Sequence, residues 1–186
     1  MNQQIITLDK SAIRRLVAQL KNKLSENDKL QAAYSIFEQL EQTTAFRNAQ
    51  TIALYWSLAD EVCTHAFIEK WYKQKTILLP IVDGETLVFK QYTGNDNMQK
   101  GAFGILEPQA TPTFTPADIE IIIVPGIAFD KNNNRMGRGR GFYDRLLSTT
   151  NAIKIGIAYN CQLFSNIPTS NHDIAMDIVI TNLTTK

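Results

Sequence analysis

Residues 121–148, IIIVPGIAFDKNNNRMGRGRGFYDRLLS, narrow the choice of fold more than any other part of the chain. The run opens on Ile121-Ile122-Ile123-Val124, an apolar β-branched segment with the composition of a strand buried on both faces. Such strands belong to parallel sheets covered by helices. Pro125-Gly126 ends the strand, a polar loop spans 130–135, and Gly137, Gly139 and Gly141 then alternate with Arg138 and Arg140. Phe142-Tyr143-Asp144-Arg145-Leu146-Leu147 reads as the first turns of a helix. A strand, a glycine-rich loop and a helix start in this order make a place where an anion can sit.

Alternating glycines allow positive φ, so that successive N–H groups converge on one oxygen. A helix start adds unpaired donors and the positive end of its dipole. Five basic residues, Lys131, Arg135, Arg138, Arg140 and Arg145, face one acid, Asp144, between positions 131 and 145. Asp144 suits a hard cation that bridges to phosphate oxygens. The spacing excludes a Walker A loop, which needs G-x-x-x-x-G-K-S/T. It also departs from the dinucleotide G-x-G-x-x-G, because Phe142 stands where the last glycine would be. A surface turn rich in Gly and Arg, or an RGG-like patch touching nucleic acid, is the competing reading of the same residues.

The segment VPGIAFDKNNNRMGRGRGFYDRLL resembles the signature of the 5-formyltetrahydrofolate cyclo-ligase family, also called 5,10-methenyltetrahydrofolate synthetases. The family pattern runs P-G-x-A/G-F-D-x-x-G-x-R-L/I/M-G-x-G-x-G-F/Y-Y-D. The main departure is Asn133, where a glycine is usual, and Asn tolerates left-handed backbone better than most residues.

With 186 residues the chain suits one domain able to bury a sizeable core. Its 20% charged residues and net charge of +1 argue against a dedicated nucleic-acid binder. Cys63 and Cys161 lack the spacing of a zinc site and read as free thiols of a reducing compartment. No stretch has signal-peptide or membrane-span character, so a cytoplasmic protein without membrane contact is expected. The Asn182-Leu183-Thr184 sequon carries no meaning there.

Apolar spacing predicts an amphipathic helix over 8–24, with Ile13, Val17 and Leu20 inward and Lys10, Arg14, Arg15, Lys21 and Lys23 on the polar face. Asp9 or Thr7 is its expected cap. A solvated basic face is the plain reading; the family resemblance makes Lys10 and Arg14, four residues apart, a clamp for the nucleotide, with the arginine also near the folate. A second helix over 26–42, capped by Ser25, is expected to bury Leu30, Ala33, Tyr34, Phe37 and Leu40. Strands are expected over 51–57, 76–82, 86–92, 154–159 and 175–181, with a helix over 65–73 capped by Thr64. The irregular stretch 94–117 is long enough to be a functional flap, with Phe103 placed to stack on a flat ring. His65 and His172 are read as structural, since no activated Ser or Cys accompanies them. This alternation predicts a three-layer α/β/α domain with a mostly parallel twisted sheet. The resemblance implies the same architecture and relates it to the sugar-phosphate isomerase and CoA-transferase group.

The resemblance further implies a monomeric enzyme that uses ATP and Mg²⁺ to convert 5-formyltetrahydrofolate, with or without a polyglutamate tail, to 5,10-methenyltetrahydrofolate. It assigns Lys10, Arg14 and the run Arg135, Met136, Gly137, Arg138, Gly139, Arg140, Gly141, Phe142 and Tyr143 to ATP. Trp56, Glu61, Arg138, Phe142 and Tyr143 are assigned to folate, Asp144 and Asp177 to the metal, and Arg135 and Tyr143 to catalysis. Arg140 lies at a position the family varies. Other classes fit the residues alone: a sugar-phosphate isomerase on the same fold, a nucleic-acid-binding module built on the four arginines, or a non-catalytic folate or nucleotide carrier.

Overall fold

In the computed structural model, residues 9–101, 104–109 and 112–182 are described; Thr7, Leu8 and Phe103 fall outside them. A seven-stranded sheet forms the centre, in the order β12-β10-β7-β1-β2-β3-β6. Its strands are β1 (Thr51–Ala53), β2 (Thr76–Asp83), β3 (Thr86–Gln91), β6 (Thr113–Phe114), β7 (Ile121–Val124), β10 (Ile153–Ala158) and β12 (Ile178–Thr181). The five strands from β12 to β2 pair in parallel, while β3 and β6 add antiparallel at one edge. The Gly84-Glu85 link between β2 and β3 is tight, with Gly84 at φ 59°.

Period-two alternation decides what each face of the sheet buries. Ile52, Ile77, Leu79, Ile121, Ile123, Ile155 and Ile157 point to one core, with Ile36, Phe37 and Leu40 of α2 (Glu26–Gln42) and Phe67 and Ile68 of α4 (His65–Trp71). The short helix α3 (Thr44–Asn48) contributes Phe46 to the same layer. Ala53, Leu78, Ile122, Val124 and Ala158 face the other core, covered by Leu146 and Leu147 of α5 (Phe142–Leu147) and by Phe129. The expected α/β/α layering is therefore present, with a thin second helical layer. A small sheet, β8 (Ala128–Asp130) with β9 (Arg135–Met136) and β11 (Leu163–Phe164), completes that side. α1 (Lys10–Lys21) lays Ile13 and Val17 against Ile127, Ala128 and Met136 beside it. A separate hairpin, β4 (Met98–Lys100) with β5 (Leu106–Pro108), occupies the irregular stretch.

Local chemistry sets the helix ends. Asp9 accepts from the Ala12 N–H at 2.6 Å, and Ser25 forms a reciprocal capping box with Asp28. Thr64 departs from expectation: its hydroxyl donates to the Tyr55 carbonyl at 2.7 Å, and its N–H bonds the Ser57 hydroxyl, so it ties two loop ends together and caps nothing. On α2 the expected Ala33, Phe37 and Leu40 are buried, but the other two members of the stripe are not. Leu30 and Tyr34 are 45% and 58% exposed, while Ala32 and Ile36 take their place inside. Both stripes satisfy helical spacing, and only the position of the sheet chooses between them. β1 is shorter than expected, because 54–57 leaves the ladder and carries Tyr55 and Trp56 toward the loops.

Candidate active site

Strand order reverses direction between β1 and β7, where the chain moves to β2 on one side and to β10 on the other. In open α/β sheets the crevice beyond the carboxyl ends of such strands is where ligands bind. A cavity of about 1070 Å³ lies there. Tyr55, Trp56, Leu58 and Glu61, which follow β1, form one wall. Pro125, Gly126 and the glycine loop 137–141, which follow β7, form another. Lys10 and Arg14 of α1 and the segment 171–174 close a third side, with Ile105 and Glu107 of the β4–β5 hairpin.

The glycine loop has the backbone freedom its sequence suggested. Gly139 and Gly141 adopt φ 100° and 71°, and Gly141 begins α5. Arg14 supports this loop, donating from Nε and Nη2 to the Gly137 carbonyl at 3.3 and 3.2 Å. Arg145 pins its far end through the Glu85 and Arg140 carbonyls. Asn133, the residue at the glycine position of the signature, is the one described non-glycine residue with positive φ, at 61°. Its loop is drawn tight by Asp130, whose buried carboxylate accepts from the N–H groups of Asn132, Asn134 and Ile167 and from the Asn134 side chain. Buried charge is tolerated when every oxygen is satisfied in this way.

Three charged positions behave differently from the sequence-based expectation. Arg135 lines the cavity, yet its side chain is 3% exposed. It donates to Asp144 at 2.8 Å and to the Pro125 carbonyl at 3.2 Å, and its guanidinium lies 5.5 Å from the Tyr143 ring. Its Nε is a buried donor without a partner. The guanidinium is thus held at the cavity wall between Asp144, the Pro125 carbonyl and the Tyr143 ring. Asp177 is not brought to Asp144: it precedes the edge strand β12, caps the Lys154 N–H at 2.7 Å, and does not line the cavity. The amino end of a parallel strand is the wrong end of the sheet for this site. Lys21, expected on a solvated face, is 5% exposed and bonds Asp60.

Charge pairing organises the rest. Lys10 binds Asp173 at 2.7 Å and approaches Ser170. Burial raises the Asp173 carboxyl, but the hydrogen bonds from Lys10 and the Ser170 N–H outweigh it and hold it below the ordinary carboxylate range. Arg138 donates to Asp60 at 2.6 Å and to Glu61 at 3.1 Å, crossing from the glycine loop to the β1 side. Glu61 also accepts from the Leu58 N–H, and Tyr159 donates to its carbonyl. Trp56 stacks on His65 with centroids 4.0 Å apart and on Tyr92 at 5.8 Å. Burial, with the nearby Glu61 charge, pushes the Tyr143 hydroxyl up, so the phenol stays neutral. Asp60, Asn171, His172 and Asp173 were not singled out from sequence as site residues; short polar runs in turns carry no signal of where the turn lands.

The family model for 5-formyltetrahydrofolate cyclo-ligases matches residues 6–182. This chain belongs to that family. The cyclo-ligase of Haemophilus influenzae is 33% identical over 184 residues, which cover 94% of this chain and 98% of that one. Among solved structures, the Aquifex aeolicus 5,10-methenyltetrahydrofolate synthetase superposes with a TM-score of 0.87 at 32% identity, covering 94% of this chain and 90% of its own. The Mycoplasma pneumoniae synthetase follows at 0.75 and 28%, covering 95% and 100%. In the cyclo-ligase frame, the described members of the expected ligand set, Asp177 excepted, meet around one cavity.

Proposed function

We infer that this chain is an ATP-dependent 5-formyltetrahydrofolate cyclo-ligase producing 5,10-methenyltetrahydrofolate, ADP and phosphate. The observation that carries this reading is one cavity with two kinds of wall, basic and glycine-rich on one side, aromatic and acidic on the other. Its volume lies at the upper end of the ~300–1,000 Å³ of ligand pockets, in keeping with a large ligand or two ligands side by side. Lys10, Arg14, Arg138 and the N–H groups of loop 137–141 hold the triphosphate. Glu61 accepts from the row of N–H donors on the pterin edge, and Trp56 and Tyr143 supply flat apolar surface.

An N-formyl oxygen is a poor leaving group. The γ-phosphoryl group leaves ADP and bonds to that oxygen; N10 then bonds to the formyl carbon, phosphate departs, and the N10 proton passes to solvent. The protein supplies positioning and charge neutralisation, which dominate phosphoryl transfer. Among the described residues no group of three His, Cys, Asp or Glu converges on a cation site. Mg²⁺ needs no such cage, because one carboxylate with phosphate and water oxygens completes its shell. Asp144 in the cavity wall is that carboxylate, and bound Mg²⁺ would screen the phosphates during transfer. Arg135 acts indirectly, by fixing Asp144 and the Tyr143 ring. We take the protein to work as a monomer and, in keeping with the free thiols Cys63 and Cys161, in the cytoplasm; no described helix is long and apolar enough to cross a membrane.

The test is the near-ultraviolet absorbance of the conjugated methenyl product. Protein, 5-formyltetrahydrofolate, Mg²⁺ and ATP should produce a rise that vanishes without ATP or without Mg²⁺. ATP binding with no absorbance rise would discard the substrate; neither binding nor a rise would sink the reading.

A further inference from the structure

Asp60 holds two cations at once. Its Oδ2 takes Lys21 Nζ at 2.7 Å and its Oδ1 takes Arg138 Nη2 at 2.6 Å. Lys21 is fastened a second time, to the Asp60 carbonyl at 2.6 Å, and its side chain is only 6% exposed. A buried lysine whose head group bonds both ends of one residue fixes that residue's position. Nothing in the reaction itself calls for Lys21 or Asp60.

The same Arg138 nitrogen reaches Glu61 at a longer 3.1 Å. Glu61 is 13% exposed at its side chain, and its other oxygen already accepts from Leu58. Arg138 is thus shared between two carboxylates, and without Asp60 its whole charge would fall on Glu61, the acceptor that a donor-rich ligand needs. We propose that Asp60, anchored by Lys21, is a positioning residue that shares Arg138 with Glu61 and so keeps the Arg138–Glu61 contact weak enough for the folate to displace it from the Glu61 carboxylate. The cyclo-ligase reading enters only in naming the ligand as 5-formyltetrahydrofolate.

Two variants test this, with folate binding measured calorimetrically without ATP alongside steady-state kinetics. Asp60→Asn keeps the shape and removes the charge. Its folate Kd, measured without ATP, should rise about tenfold, the scale of one charge-assisted hydrogen bond, while kcat and the Tm change far less. Lys21→Met should weaken folate binding in the same direction by releasing Asp60, and Asp60→Glu should recover most of the affinity. Unchanged folate binding in Asp60→Asn would overturn the inference. A kcat that falls as far as the folate affinity, with a lowered Tm, would also overturn it and make Asp60 a merely structural residue. A wild-type protein that binds folate but does not turn it over would defeat the cyclo-ligase reading and leave the binding comparison to decide on Asp60. Wild-type protein that binds no folate would defeat both.

Discussion

Arg135 shows how a motif residue supports its neighbours. It is among the most buried charges in the chain, and its partner Asp144 is 21% exposed at the side chain. Arg135→Ala should therefore destabilise the fold by about 3 kcal/mol, because a partly buried carboxylate is left unpaired; chemical denaturation would measure this, and an unaltered midpoint would show the pair to be dispensable. Asp144→Asn should lower turnover far more than folate affinity, and unchanged turnover at saturating Mg²⁺ would remove Asp144 from the metal. Cys63 offers a separate check on local electrostatics. Its thiol is exposed, and a hydrogen bond from His65 outweighs partial burial and holds its pKa down to about 7. Below that value the sulfur is a thiol and above it a thiolate, so alkylation should accelerate through about pH 7. Cys161, whose thiol burial pushes up, should react later in the same titration. His65→Ala should move the Cys63 midpoint upward.

At the scale of elements, local chemistry was legible wherever a side chain acts on its own backbone. The Ser25 box is such a case, and Ser25→Ala should cost about 1 kcal/mol, read as a shift in the urea midpoint without a change in slope. The glycine loop was legible for the same reason: only glycine adopts φ 100° at position 139 without strain. Gly139→Ala would also bring a Cβ to 3.4 Å from Arg14, so the KM for ATP should rise as loop and arginine move apart. Other features depend on packing between elements and were missed. The small sheet β8-β9-β11 is made of two- and three-residue strands that no periodicity reveals. On α2, Ala32 and Ile36 are buried where Leu30 and Tyr34 were expected, and Leu30→Gln should change stability by no more than ~0.5 kcal/mol because Leu30 lies outside the core.

For the whole molecule, Phe129 links the second core to the sheet. It is fully buried, and its ring fills the space a Cβ would need at both Gly126 and Gly156. Phe129→Ala should cost ~3–5 kcal/mol, and a smaller loss would mean the two glycine-lined walls collapse onto the gap. The sequence by itself determined the layered α/β architecture, because the apolar runs 121–124 and 77–79 can be satisfied only by a sheet covered on both faces. It also determined the family and the glycine-loop wall, since both rest on contiguous residues. Tertiary structure alone decided which charges meet. Asp60 and Arg138 are distant in sequence and 2.6 Å apart in space, whereas Asp177, acidic and preceding a strand, ends at the far end of the sheet from Asp144. Pairing of this kind depends on strand order and on which end of a strand a residue occupies, and no local pattern of side chains encodes either one.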